Sequence, residues 1–77
     1  MTLNESILQI KGPVKNLLAQ MYEAKETHKT AMVVNERNYY AMLHDCKALI
    51  DSKYLRISRK GKKLDIAFLE KAKKELI

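Results

Sequence analysis

Residues 53–68 read KYLRISRKGKKLDIAF, and this stretch decides the fold because it predicts a β-hairpin. Residues 54–58 alternate apolar and polar side chains and are rich in strand-forming types. Gly61 offers a turn between two pairs of basic residues. Leu64 and Ile66 resume the alternation, so a short second strand is expected to end near residue 65 or 66. A helix is expected from there to the end of the chain.

The positive charge of the protein is concentrated in and after this hairpin. Residues 1–52 contain six basic and six acidic side chains, whereas residues 53–77 contain nine basic and three acidic ones. The net charge of +6 therefore lies in the last third of the chain. Six bases follow one another without an intervening acid: Lys53, Arg56, Arg59, Lys60, Lys62 and Lys63. A neutral body with one basic projection indicates an anionic partner, most commonly a nucleic acid.

Two helices are predicted before the middle of the chain. Thr2 and Glu5 have the spacing of a capping box, and a helix over residues 3–11 follows. Gly12 and Pro13 break or kink it, because proline removes a backbone donor and restricts the residue before it. Apolar side chains at helical spacing then predict a helix over residues 13–29.

The central segment predicts a short strand and a long helix. Residues 31–34 read AMVV, an apolar run that favours a strand. Asn35 is a candidate N-cap for a helix over residues 36–52, whose apolar stripe includes Tyr39 and Cys46. Together with the hairpin, these elements predict an α+β fold that is mostly helical, with three to four helices.

Length and composition limit the class of protein. A chain of 77 residues makes a single small domain, residues 1–77, with a modest core. Its single cysteine excludes an internal disulfide, and Cys46 is expected to be a buried, inert thiol. Because neither a signal peptide nor a membrane-spanning run is apparent, the protein is expected to be cytoplasmic.

The join between the long helix and the hairpin resembles a winged helix. Residues 48–55 read ALIDSKYL, in which an apolar helix end leads into an aromatic and aliphatic strand start. In winged-helix proteins a recognition helix enters the major groove of DNA and a basic hairpin contacts the backbone. The resemblance covers about 25 residues and concerns the fold alone. One departure is that only residues 30–34 are left for the separate short helix that normally precedes the recognition helix.

This layout predicts a small double-stranded DNA-binding protein, either a regulator or an accessory factor. The six hairpin bases are candidates for phosphate contacts, since such contacts release counterions and give affinity that depends on salt. Three residues are candidates for reading base edges, namely Arg37, Asn38 and Lys47. They lie with Tyr40 and His44 on the face of the predicted helix that is opposite its apolar stripe. A homodimer is plausible, since many such proteins bind as dimers.

The same sequence is compatible with other interpretations. The hairpin could dock on an acidic protein, as in a small inhibitor or adaptor, or it could be a solvated edge that prevents aggregation. RNA is a third candidate ligand, although strand aromatics typical of RNA-binding folds are missing. No enzyme activity, cofactor or metal is expected, because residues 44–46, which read HDC, point in different directions on a helix.

Overall fold

The computed structural model describes residues 2–32 and 35–76, which form five helices and three strands in one α+β fold. The helices are α1 (Leu3–Leu8), α2 (Val14–Ala24), α3 (Glu36–Asp45), α4 (Lys47–Asp51) and α5 (Glu70–Lys73). The strands are β1 (His28–Met32), β2 (Leu55–Lys60) and β3 (Lys63–Phe68). None of the helices in these ranges has the length and hydrophobicity needed to cross a bilayer.

The three strands form an antiparallel sheet in the order β1-β3-β2. β2 and β3 are the predicted hairpin, with Leu55 opposite Phe68 and Lys60 opposite Lys63. β1 comes from far earlier in the chain and pairs with the other side of β3, from His28 opposite Ala67 to Met32 opposite Lys63. The basic hairpin is therefore part of a larger sheet and does not project alone from the body.

One face of the sheet packs on the helices. Alternate residues of the hairpin strands are buried, namely Leu55, Ile57, Leu64, Ile66 and Phe68. They join a core that includes Leu3 and Ile7 of α1, Leu18 and Met21 of α2, and Leu49 of α4. This face is called the inner face below, and the opposite, more exposed face is called the outer face.

The predicted start of α1 is confirmed. The Thr2 hydroxyl accepts a hydrogen bond from the Glu5 amide at 3.2 Å, and the Glu5 carboxylate accepts one from the Thr2 amide at 3.1 Å. These two bonds form the capping box expected from the spacing of the residues. The helix ends at Leu8, and α2 starts after Pro13, so the break is real.

The prediction of a helix over residues 13–29 was too long. α2 ends at Ala24 because Lys25 adopts a left-handed conformation with φ 57°. The amides of Lys25 and Glu26 donate to the carbonyls of Tyr22 and Met21, which is the pattern of a Schellman motif. Glycine usually occupies such a position, so a lysine gives no local signal for the helix end.

The early strand starts sooner than predicted. The sequence indicated residues 31–34, whereas β1 covers His28–Met32. The polar residues at its start join the sheet because β3 offers them backbone partners, as in the pairing of Lys29 with Ile66. Residues 33 and 34 lie outside the part of the chain that the structure describes.

The predicted helix over residues 36–52 is two helices, so the described chain has five helices where three to four were expected. The backbone at Cys46 has φ −97° and ψ 11°, which separates α3 from α4. Asn35 is the N-cap, as predicted, and its side-chain oxygen accepts a hydrogen bond from the Asn38 amide at 2.9 Å. The apolar stripe still faces the core, because Cys46 and Leu49 are buried.

The C-terminal boundary was also placed too early. β3 continues to Phe68, and α5 has only four residues, from Glu70 to Lys73. The Phe68 amide donates to the carbonyl of Thr27, and the Leu69 amide donates to the carbonyl of Tyr54. These long-range hydrogen bonds hold the segment extended where its sequence was equally compatible with a helix.

Candidate nucleic-acid interface

The hairpin turn consists of two residues, Gly61 and Lys62, between β2 and β3. Gly61 has φ 59°, and a positive φ at the first central residue is what tight two-residue hairpin turns require. Such tight turns match the twist of the strands they join. The turn therefore places Lys60, Lys62 and Lys63 close together at the tip of the hairpin, and all three residues are exposed.

Strand alternation divides the remaining basic residues between the two faces of the sheet. Arg56 and Lys60 alternate with buried Leu55 and Ile57, so they lie on the outer face. Arg59 has the opposite parity and lies across from Leu64, a residue of the core. The six bases predicted as one phosphate-binding set therefore do not share a single surface.

Arg59 is directed toward α3. Its guanidinium Nη2 lies 3.4 Å from the Glu36 carboxylate, and its Cζ lies 5.3 Å from the centre of the Tyr39 ring. A cation above an aromatic ring is attracted by the ring's electron-rich face. Arg59 thus links the hairpin to α3, which leaves it less available to an external anion than its exposed neighbours.

The other five bases of the hairpin have no carboxylate partner in the described part of the chain of the kind that Glu36 provides for Arg59. Within residues 2–32 and 35–76, no acidic side chain forms an ion pair with any of them: Lys53, Arg56, Lys60, Lys62 and Lys63. Lys60 lies directly opposite Lys63 in the sheet. Like charges directly opposite each other in a sheet repel and oppose folding. An anionic ligand bound between Lys60 and Lys63 would reduce this repulsion.

A groove lies at the other end of the hairpin, on the outer face. Ala67 pairs with His28 on one side and with Arg56 on the other, so a small side chain lies between two long ones. The resulting open groove has a volume of about 480 Å³. Its lining includes Lys53, Arg56, Lys71 and Lys73, together with His28 and Glu70.

The charges around the groove are positioned by contacts within the fold. The Lys71 ammonium lies 4.6 Å from the centre of the Tyr54 ring and donates a hydrogen bond to the carbonyl of Ser52 at 3.3 Å. Glu70 is offset by an ion pair with Lys73 at 3.3 Å. His28, Lys71 and Lys73 were absent from the predicted site, because they join it only through the sheet register and the position of α5.

The residues predicted to read bases are spread over two helices. Arg37 and Asn38 are exposed near the start of α3, whereas Lys47 is the first residue of α4, beyond the break at Cys46. Asn38 also lines a small cavity of about 140 Å³ beside Pro13. The continuous reading face expected from one long helix is therefore interrupted.

Two titratable sites, Cys46 and the pair of Glu75 and Tyr54, have pKa shifts with structural causes. Burial raises the pKa of the Cys46 thiol to about 12, and the neighbouring Asp45 carboxylate adds to the shift. A hydrogen bond with the Tyr54 hydroxyl lowers the pKa of the Glu75 carboxyl and raises the pKa of Tyr54. Among residues 2–32 and 35–76, the structure contains no group of three or more histidine, cysteine or acidic residues arranged to hold a metal ion.

Comparisons with known proteins add no identification. No protein-family model, curated protein or solved structure matches the chain significantly. The functional argument therefore depends on the geometry and charge of the hairpin and the surfaces around it.

Proposed function

We propose that this protein binds double-stranded DNA through the basic hairpin and acts as a small regulator or accessory factor without enzyme activity. The observation that supports this proposal is the set of five exposed bases without an acidic partner in the described chain. Phosphates would neutralise these charges and release condensed counterions, which is the main source of sequence-independent affinity for DNA.

The order of the elements supports a winged-helix-like arrangement as part of this proposal. A strand, two helices and a hairpin follow one another, and the first strand pairs with the second strand of the hairpin. The helix immediately before the hairpin, α4, has five residues and is about 7.5 Å long. The longer α3 therefore offers the better reading face, with Arg37 and Asn38 as candidates for base contacts, and Lys47, the first residue of α4, is the third candidate.

The direct test is fluorescence anisotropy of a random-sequence duplex titrated with the protein at several salt concentrations. Binding is expected at low salt, and log Kd is expected to rise linearly with log salt. The triple variant Lys60→Glu, Lys62→Glu, Lys63→Glu is expected to abolish binding, because it reverses the charge of the hairpin tip.

Thermal unfolding of the same triple variant provides the control. Its Tm is expected to stay close to that of the parent, since all three side chains are exposed. Loss of folding would show that the hairpin tip is structural and would contradict the site assignment. Absence of duplex binding by the parent at low salt would refute the DNA-binding proposal.

The alternative function is docking on an acidic protein, for which the same hairpin would supply the charge. Tyr40 is 63% exposed on α3 and could contribute an aromatic contact to such an interface. The two functions differ in the anisotropy experiment. A protein that docks on acidic proteins would bind the duplex weakly even at low salt. Its acidic protein partner would stay bound as the salt concentration rises, because apolar contacts such as that of Tyr40 are not screened by salt.

A further inference from the structure

We infer that the groove on the outer face is a second phosphate-binding site, which extends the DNA contact from the hairpin tip to β1 and α5. This inference rests on the proposed function, because the ligand is the backbone of the bound duplex. It adds Lys71, Lys73 and His28, which come from α5 and β1, to the hairpin residues already proposed to contact phosphates.

The shape of the groove suits a phosphate group. Ala67 forms a low floor between His28 and Arg56, so an anion can approach the sheet more closely there than at neighbouring positions. Lys53 and Arg56 lie on the hairpin side and Lys71 on the α5 side. Cations from separate elements therefore surround the floor, whereas the tip presents its cations on one tight turn.

The electrostatic balance of the groove favours an anion. Glu70 is the one carboxylate among the residues that line it and pairs with Lys73, and the Asp65 carboxylate lies 3.6 Å from His28 Nε2. The positive charge of the groove therefore comes from Lys53, Arg56 and Lys71, which form no ion pair within residues 2–32 and 35–76. Lys71 is held by the Tyr54 ring and the Ser52 carbonyl, so its ammonium is oriented before any ligand arrives. A cation fixed in advance loses less conformational entropy when it binds.

The distance between the groove and the tip also suits DNA. Arg56 and Lys60 are four residues apart on the same face of β2, which corresponds to about 13 Å along an extended strand. The major groove of B-DNA is about 12 Å wide. The two cationic ends of the hairpin are therefore far enough apart to contact phosphates on opposite sides of that groove.

Two substitutions test the groove independently of the hairpin residues. Lys71→Gln removes a cation that lines the groove and is not part of the hairpin. It is expected to reduce the slope of log affinity against log salt by about one. Ala67→Leu fills the floor without changing the charge, and it is expected to weaken duplex binding and reduce the same slope. Both are measured by anisotropy with the random duplex.

Matched controls separate local from general effects. Lys74→Gln removes an equal charge from an exposed residue next to α5 that does not line the groove, and Ala24→Leu makes the same enlargement at an exposed residue of α2 that also does not line it. Both controls are expected to bind with the slope of the parent. Far-UV circular dichroism and Tm show whether each variant is folded.

The possible results distinguish the two proposals. If the parent binds the duplex and both groove variants keep its affinity and slope, the second site is refuted while the hairpin proposal stands. If the parent does not bind, both proposals fail. If Lys71→Gln fails to fold because the contact with Tyr54 is lost, the affinity and salt slope of Ala67→Leu decide whether the groove binds the duplex.

Discussion

At the scale of single residues, Arg59 shows how a basic side chain in a charged run can serve the fold. Its neighbours Arg56 and Lys60 lie on the outer face, yet Arg59 contacts Glu36 and Tyr39 of α3. A charged side chain that is partly buried keeps its favourable energy only if it has a partner. The ion pair and the aromatic ring supply that partner, and they connect the hairpin to the helix proposed to read DNA.

Cys46 is a residue whose local environment predicts its chemistry. It is fully buried, and its pKa is raised to about 12. Because the thiolate is the reactive species, the native protein is expected to resist iodoacetamide at pH 8, whereas protein unfolded in urea is expected to react fully. Mass spectrometry of the alkylated product measures this difference. Equal rates of modification in both states would contradict the burial of the thiol.

The same shift has a consequence for stability in alkali. The ordinary thiol pKa is 9.0, so the unfolded state ionises first as the pH rises. The contribution of Cys46 to stability is therefore complete below pH 9 and is lost progressively toward pH 12. A Cys46→Ala variant should show a smaller decline over this interval in urea titrations.

At the scale of elements, the hairpin turn depends on one glycine. Gly61 has φ 59°, and a Cβ built there would meet no other atom within 4 Å. A side chain at this position is therefore opposed by backbone strain alone and not by a clash. The turn can be tested without disturbing the packing around it.

Gly61→Ala is expected to lower the free energy of unfolding by about 1–2 kcal/mol, which is the cost of a left-handed conformation for an L-residue. Gly61→Asn is the matched variant and should lose less, because asparagine tolerates this region better. Urea denaturation of both variants gives the comparison. Equal stability of the alanine variant and the parent would show that the turn adopts another conformation.

At the scale of the whole molecule, Glu75 joins distant parts of the chain. Its carboxylate accepts hydrogen bonds from the Leu3 amide at 2.9 Å and from the Tyr54 hydroxyl. It therefore ties the end of the chain to the first helix and to the base of the hairpin. A small domain buries a modest fraction of its surface and is marginally stable, so the loss of one such tie is expected to be measurable.

Replacement of this group tests the tie. Glu75→Gln is expected to lower the free energy of unfolding on the order of 1 kcal/mol at neutral pH, because the charged acceptor is lost. The pKa of Glu75 is lowered from its ordinary value of 4.5. Its contribution is therefore present above that pH and is lost as the pH falls through the lowered value.

Urea titrations at pH 7 and at strongly acidic pH measure this effect. The difference between parent and variant should shrink in acid. Glu26→Gln provides the control, since Glu26 is exposed and none of the side-chain hydrogen bonds or ion pairs in the described chain involves it. A difference that is the same at both pH values would contradict a role for the carboxylate charge.

Local sequence information was sufficient for the features that neighbouring residues control. The capping box at Thr2, the N-cap at Asn35 and the turn at Gly61 were all predicted, because each depends on a few adjacent side chains. The apolar stripes of α2 and α3 were predicted for the same reason. Alternation likewise revealed the hairpin, and with it the basic surface on which the proposed function depends.

Contacts between distant segments decided the rest. β1 begins at polar His28 because β3 supplies its backbone partners, and β3 extends to Phe68 because Thr27 accepts its amide hydrogen bond. The separation of Arg59 from Arg56, and the groove over Ala67, follow from the register of three strands. The sequence alone thus determined where the charge lies, whereas the tertiary structure determined which charges share a surface, since register and hydrogen bonding join residues that are far apart in sequence.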